Sequence, residues 1–358
     1  MDSKFAYSRL YDFTKNIFLK TGFNEADADS AATVLLSADL RGVDSHGISR
    51  LTGYVRLCEA GRIEPRSSPT IIHETPSTGV VDGHGGLGLV IAPFAMKVAI
   101  DKARAVGSGW ISVQNSSHFG IAGIHAMMAL KHDMIGIVMT NASPTVAPTF
   151  SVDKLLGTNP ICVAVPAGEE QPFVADFATT TAANGKLELL QRKKELAPNG
   201  WVQTKTGEPS TDPSELKIGG ALLPLGGDRE HGSHKGYMLG SIVDIFSGLL
   251  SGANYGPFVP PFPSYLPMPS FMPGKGIGHF FGAMRIDGFR PAADFKKDMD
   301  NWIREFKKAK VASGFDRVII PGEPEAEMHS DRMQSGIPLY ESVVNELGEL
   351  GERLGIKL

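Results

Sequence analysis

The stretch VVDGHGGLGLV, Val80 to Val90, decides between two folds. Gly83, Gly85 and Gly88 spell G-x-G-x-x-G between an apolar run, Thr78 to Val81, and a helical pattern from Val90 to Ala103. In a Rossmann fold that spelling marks a phosphate-binding turn. An acid about twenty residues on, at the end of the next strand, then holds the ribose hydroxyls. The next strand here, Trp110 to Val113, runs into Gln114, Asn115, Ser116, Ser117 and His118. No acid stands there, and no arginine for a 2′-phosphate; Asp101 comes too early, inside the helix. The glycines therefore read as a strand-to-helix turn that lets helix 90–106 lie close to the sheet.

Outward from that turn, apolar alternation predicts strands over Gly79–Asp82, Trp110–Val113, Ile135–Thr140, Ile161–Val165 and Phe173–Asp176. Helices are expected over 90–106, 121–132 and 182–194. This alternation of strands and helices points to an α/β or α+β domain. Before it, Tyr7, Leu10, Ile17 and Phe18 mark one helix, stopped at Thr21-Gly22. Asn24 caps a second helix that turns Ala31, Val34, Leu35 and Ala38 inward, and a third is expected to reach Gly61. Downstream, a strongly apolar helix carries Leu239, Ile242, Val243, Phe246 and Leu249. A strand over Gly278–Ile286, a helix over 292–309, a short strand over Val318–Ile320 and an amphipathic helix over 338–353 follow. The proline-rich run GPFVPPFPSYLPMPSFMPGKG, 256–276, cannot be regular structure, and loops of that length serve as lids or interface segments.

Composition narrows the class. A net charge of −4 offers no nucleic-acid footprint, and no apolar run reaches the roughly 18 residues a membrane span needs. The two cysteines, Cys58 and Cys162, are expected to stay reduced, and the first residues contain no signal peptide, so a cytoplasmic location is expected.

Beyond the glycine turn, four stretches could carry chemistry. In RGVDSHGISRL, His46 and Arg50 share a helical face beside Ser45, an acid/base next to a carboxylate clamp or a surface pair beside a cap. His118 in NSSHFG follows a strand at the start of a helix, lining an active site or capping a turn. In VADFATTT, Asp176 ends a strand and Thr179, Thr180 and Thr181 precede a helix, as phosphate or ribose contacts or as caps. GGDREHGSHKGY brings His231, His234 and Lys235 to a helix start, the strongest local anion-site pattern, without Walker spacing. With neither HExxH nor paired CxxC, no metal is expected; without G-x-S-x-G, an α/β-hydrolase is disfavoured.

Taken together, DLRGVDSHGISRL, DGHGGLGLVIAPFAM, NSSHFGIAGIHAMMAL, GTNPICVAVP, VADFATT, HKGYMLGSIVDIFSGLLSG, GHFFGAMRIDGFRP and VIIPGEPE resemble, in order, the malate/L-lactate dehydrogenase family that is unrelated to the Rossmann enzymes of the same names. The likeness extends to ureidoglycolate, sulfolactate and 2,3-diketogulonate dehydrogenases and to piperideine-2-carboxylate reductase. It implies a helical domain from 1–72 with 310–358. It also implies a central, non-Rossmann α/β domain over 73–309 that binds NAD or NADP, with 254–276 as an excursion. It implies a homodimer whose active site lies near the subunit interface. By the same resemblance His46 and His118 are the acid/base candidates, and Ser45 and Arg50 meet the substrate carboxylate. The cofactor contacts are Asp176, Ala178, Thr179, Thr180, His234, Lys235, Gly236, Gly322 and Glu323. The expected reaction is hydride exchange between a nicotinamide and C2 of a small 2-hydroxy or 2-oxo acid, with malate leading. Reduction of a cyclic 2-imino acid and a non-catalytic nucleotide-binding scaffold are the competing readings.

Overall fold

A computed structural model describes residues 3–263 and 265–358. The chain opens with β1 (Ser3–Phe5) and helices α1 (Tyr7–Thr21), α2 (Glu25–Leu40) and α3 (Leu51–Glu59). Strands β2 (Thr70–Glu74) and β3 (Thr78–Asp82) lead into α4 (Gly88–Val106), then β4 (Ser108–Ser116), α5 (Ala122–Ala126), β5 (Met134–Thr140), β6 (Ile161–Val165), β7 (Phe173–Phe177) and α6 (Asn184–Lys193). A small sheet follows from β8 (Val202–Gln203), β9 (Pro209–Ser210) and β10 (Ala221–Leu222). The chain ends with α7 (Ser233–Asp244), β11 (Ile277–Arg285), α8 (Ala292–Lys307), α9 (Glu323–Ser335), β12 (Ile337–Leu339) and α10 (Glu341–Leu354).

The main sheet has seven strands in the order β2-β3-β4-β11-β5-β6-β7. Only β3 and β4 run parallel, with α4 as their crossover; every other pair is antiparallel. The sheet is thus mixed, and the Rossmann resemblance ends at one β-α-β unit. α4 packs on it through Ile91, Ala95, Met96 and Ala99, against Val81, Ile111, Val113 and Phe281. Pro93 lacks the N–H that would bond Leu89, and Ser30 Oγ donates to that free carbonyl instead, at 3.4 Å.

A second core joins the two ends of the chain: Leu10, Phe13, Ile17, Leu35, Leu36 and Tyr54 pack with Ile337, Leu339, Leu347 and Leu350. β1 pairs with β12 beside it. Asn24 caps α2 as its sequence suggests, accepting from the Asp27 N–H at 2.9 Å. A third, small cluster, with Val146, Leu187, Val202 and Leu222, holds the β8–β10 sheet.

Some expectations need correction. Val318–Ile320 is not a strand: the Ile320 N–H bonds the Glu323 carboxylate at 3.2 Å rather than a ladder partner. α9 went unread, because its polar composition hides its one deeply buried side chain, Arg332. The final helix starts at Glu341, since 337–339 form a strand. The apolar α7 and the turn after it are not core. Gly236, Gly240, Val243, Ser247 and Gly248 face the protein, leaving Ile245 (50%), Leu249 (52%) and Leu250 (58%) exposed. Small residues are required inward because a Cβ at Gly278 would meet Ser247 O at 2.0 Å. Cys58 and Cys162 are free thiols, and no described helix is long and apolar enough to cross a membrane.

Candidate active site

The glycine turn itself is closed to ligands. Gly83 N–H bonds Gln114 O at 2.9 Å, Gly85 N–H bonds Asn115 O at 2.8 Å, Gly86 N–H bonds Gly83 O at 2.9 Å, and Gly88 N–H bonds Ser117 Oγ at 2.9 Å. A Cβ at Gly88 would lie 2.2 Å from Ser117 O and 2.5 Å from His118 O. These glycines permit backbone-to-backbone contact between the two strand ends, and the amides that would cradle a phosphate are already used.

The cleft of about 1210 Å³ lies elsewhere, between the helical core and the sheet. It is lined by the end of α2, the turn 44–50, the starts of α5 and α6, the end of β7, and residues of α9 and α10. Ser45, His46, Arg50, Asp176, Ala178, Thr180 and Gly322 all line it.

Two short 3₁₀ turns, Asp44–His46 and Ile48–Arg50, present the first wall. They are fixed from beneath by Asp39. Its carboxylate accepts the Ile48 N–H at 2.7 Å, and Gly47 lies so close that any side chain there would overlap it. Burial pushes the Asp39 carboxyl up to about 8. Arg332 anchors the same turn from α9 through Asp39 O and the Asp44 carboxylate. The His46 ring stacks on His118 with centroids 5.5 Å apart and planes 28° apart. His46 Nδ1 is 2.9 Å from Ser45 Oγ, and His118 Nδ1 is 2.6 Å from Tyr54 Oη. Burial, then the Arg50 charge, lowers His46 to about 4. Burial also lowers His118, helped by His46, Arg50 and His279. Both rings are therefore neutral near pH 7, and each hydroxyl partner can donate or accept. Arg50 spends Nε on Ser45 O at 2.6 Å and has no ion pair among the described residues, so its two terminal nitrogens remain for an anion.

On the opposite wall, Asp176 opens onto the cleft. One oxygen accepts the Gly123 N–H at the start of α5, at 2.7 Å. Burial raises its carboxyl to about 6, against that hydrogen bond and Arg41. α6 begins in the cleft with no side-chain cap, since Ala183 occupies the N-cap, and Lys186 lies in its first turn. Gly185 brings this end of α6 against Ser45. Bare helix-start amides beside a lysine, with Thr180, Thr181 and Asp176 nearby, fit a dinucleotide's pyrophosphate and ribose.

Other sequence candidates fall outside the walls. Thr179 is buried and donates to Thr158 O and Asn159 O. Glu323 bonds Lys307 at 2.7 Å and Ile320 N, while Glu325 lines the cleft. His234 sits 2.8 Å from Arg229, and Lys235 is exposed. Gly236 touches the backbone of Leu225, itself a lining residue. His231 pairs with Asp228. Among the described residues no cluster of His, Cys, Asp and Glu could hold a metal ion. Sequence reading missed Asp39, Arg41, Tyr54 and Phe262, which carry no motif of their own; only DLRG, just before DSHG, hinted at the first two.

Comparison with known proteins agrees with this architecture. Residues 5–348 match the family model described as malate/L-lactate dehydrogenase. A malate dehydrogenase of Pyrococcus abyssi is 42% identical over 97% of this chain and 94% of its own length. An L-sulfolactate dehydrogenase of Methanocaldococcus jannaschii is 36% identical over 96% and 95%. The crystal structure of malate dehydrogenase from Entamoeba histolytica superposes with a TM-score of 0.93 at 35% identity, covering 100% of this chain and 99% of that one. With likeness of sequence and fold along nearly its whole length, the chain belongs to the malate/L-lactate dehydrogenase family.

Proposed function

We propose that this protein is a nicotinamide-dependent oxidoreductase that interconverts a small 2-hydroxy acid and its 2-oxo acid, with malate and oxaloacetate as the pair. One observation carries the reading: His46, stacked on the neutral ring of His118 behind it, stands at the cleft beside Arg50, which has no ion pair among the described residues. Arg50, aided by Ser45, holds the substrate's C1 carboxylate through its two free nitrogens. In oxidation, one imidazole of the His46–His118 pair takes the C2 hydroxyl proton. In reduction, the same ring gives it back. Burial first, and then the charge of His46, disfavours a proton on His118. The nicotinamide, when bound, supplies the hydride acceptor or donor. Asp176, Ala178, Thr180 and Gly322 would hold it from the cleft wall; Thr179, His234, Lys235, Gly236 and Glu323, outside that wall, are the further proposed contacts. Malate is favoured over lactate because Arg41 and Arg56 also line the cleft, with no ion pair among the described residues, leaving cations for a second carboxylate.

The exposed apolar row Ile242, Ile245, Leu249 and Leu250 supports a homodimer packed on α7, close to the cleft through Gly236 and Leu225. The free thiols suit a reducing cytoplasm. The test is nicotinamide absorbance with NAD and NADP against malate, lactate, sulfolactate, ureidoglycolate, diketogulonate and piperideine-2-carboxylate. Turnover of malate above the others supports the reading. Turnover of the cyclic imine alone reassigns the substrate, and no turnover of any supports a scaffold.

A further inference from the structure

The proline-rich run 256–276 sits largely apart from the motifs of the family, yet one of its residues reaches the chemistry. Asn254, fully buried, ties its base together: its side chain donates to Gly276 O at 3.0 Å and accepts the Gly274 N–H at 3.1 Å. Higher up, Ser143 Oγ donates to Pro260 O and accepts the Phe262 N–H, both at 3.2 Å. Arg62 donates to Pro261 O, and to Pro263 O at 3.2 Å. Prolines at 260, 261 and 263 leave these carbonyls without a secondary-structure role and fix the backbone around them. The strap thereby delivers Phe262 into the cleft, with Pro263 and Tyr265 further along its lining. Phe262 lies 5.2 Å from Tyr54 edge-on, 5.1 Å from His118, and 5.9 Å from the Arg50 guanidinium. It is pressed so closely on α3 that a Cβ at Gly53 would stand 3.0 Å from it.

We propose that Phe262 sets the size of substrate this enzyme accepts, an inference that rests on the 2-hydroxy-acid reading above. A substrate with its carboxylate on Arg50 and its C2 oxygen at the imidazole pair has its C2 carbon between the two groups that the ring flanks. The remaining substituent on C2 must then pass the ring. The aromatic wall accepts a compact methyl or carboxymethyl group and rejects branched or aromatic ones. Its contact with Tyr54 and His118 also keeps water from that side of the imidazole pair.

The test is the ratio of kcat/KM for phenyllactate to that for malate, measured in each variant. A loss of folding scales both substrates alike, so the ratio isolates the wall. Phe262→Ala should raise the ratio by about tenfold or more, and Phe262→Leu by a smaller factor. Phe262→Trp should lower it. Arg62→Met, which frees the Pro261 and Pro263 carbonyls but keeps the ring, should raise it less than Phe262→Ala. If Phe262→Ala does not fold, the leucine and tryptophan variants carry the test. A ratio unchanged within about twofold in every folded variant, with malate still turned over by the unaltered protein, overturns the role of Phe262 alone. An unaltered protein inactive on every 2-hydroxy acid overturns the functional reading, and this inference with it.

Discussion

Two short turns, 83–88 and 44–50, each combine glycine with histidine at a helix start, and their fates differ. The first has the spelling of a nucleotide loop, but its amides are bonded within the protein and its glycines are backed by backbone. The second could pass for a surface cap, but it presents to a cleft a neutral imidazole and a guanidinium with no ion pair among the described residues. A binding turn is one whose polar groups lack partners inside the protein; a structural turn has spent them. Spelling does not distinguish the two, because the partners lie on other elements.

The largest expected effect breaks this comparison if it fails. His46→Ala and His118→Ala should each lower kcat by roughly 10²–10⁴-fold. If both variants keep near-normal turnover, the imidazole pair is structural as well. Next comes the closed turn. Gly88→Ala should cost about 3 kcal/mol of stability through overpacking against Ser117 O and His118 O. NADH and NADPH titrations of the folded fraction should show unchanged affinity. Tenfold weaker dinucleotide binding at an unchanged melting temperature would restore the phosphate role.

Arg50→Met should lower kcat/KM by roughly 10- to 100-fold, mostly through KM, since it removes charged hydrogen bonds to the substrate. It should also raise the pKa of His46, because the Arg50 charge is one of the two causes holding it near 4. The acid limb of the kcat/KM profile would then move to higher pH; no movement separates that limb from His46.

The smallest effect is on stability against pH. His46 and His125 lie near 4 and His279 near 3, against an ordinary 6.5. The unfolded chain takes up their protons as pH falls through 6.5 while the folded protein does not. Stability therefore drops on acidification, by up to about 1.4 kcal/mol per pH unit for each ring. Asp39, raised to about 8, has the opposite sign: the folded protein keeps its proton, and that contribution fades as pH rises to 8. On the acid side the three rings outweigh Asp39 and Asp176, the latter raised to about 6, so stability should peak near neutral pH. In melting scans Asp39→Asn should flatten the decline between about pH 6.5 and 8 and steepen the rise below 6.5. An unchanged slope would mean that the carboxyl under the 44–50 turn is ionised in the folded state.

Much of the fold was legible because it rests on local physics. Period-2 runs marked β5, β6 and β7, the Asn24 cap marked α2, and the missing ribose acid argued against a Rossmann sheet. Where local physics was silent, the reading failed. Val318–Ile320 has β-branched residues but finds no ladder, and α9 shows no apolar stripe yet supplies Arg332. α7 has a core composition, but it is Ser233, Gly236, Gly240, Val243 and Asp244 that face the protein, while its larger apolar side chains such as Met238 and Ile242 are exposed.

The order of motifs along the chain was enough to name the family, but the helical face expected for His46 and Arg50 is two 3₁₀ turns broken at Gly47. Only tertiary structure decided which of the candidate polar groups stay unspent. It set Asp39 beneath the turn, stacked His118 from β4's end on His46, and brought Phe262 from far along the chain to His118 and Tyr54. It also closed the turn at 83–88. The reason is physical: a group's chemistry depends on its desolvation and its hydrogen-bond partners, and both come from residues far away in sequence.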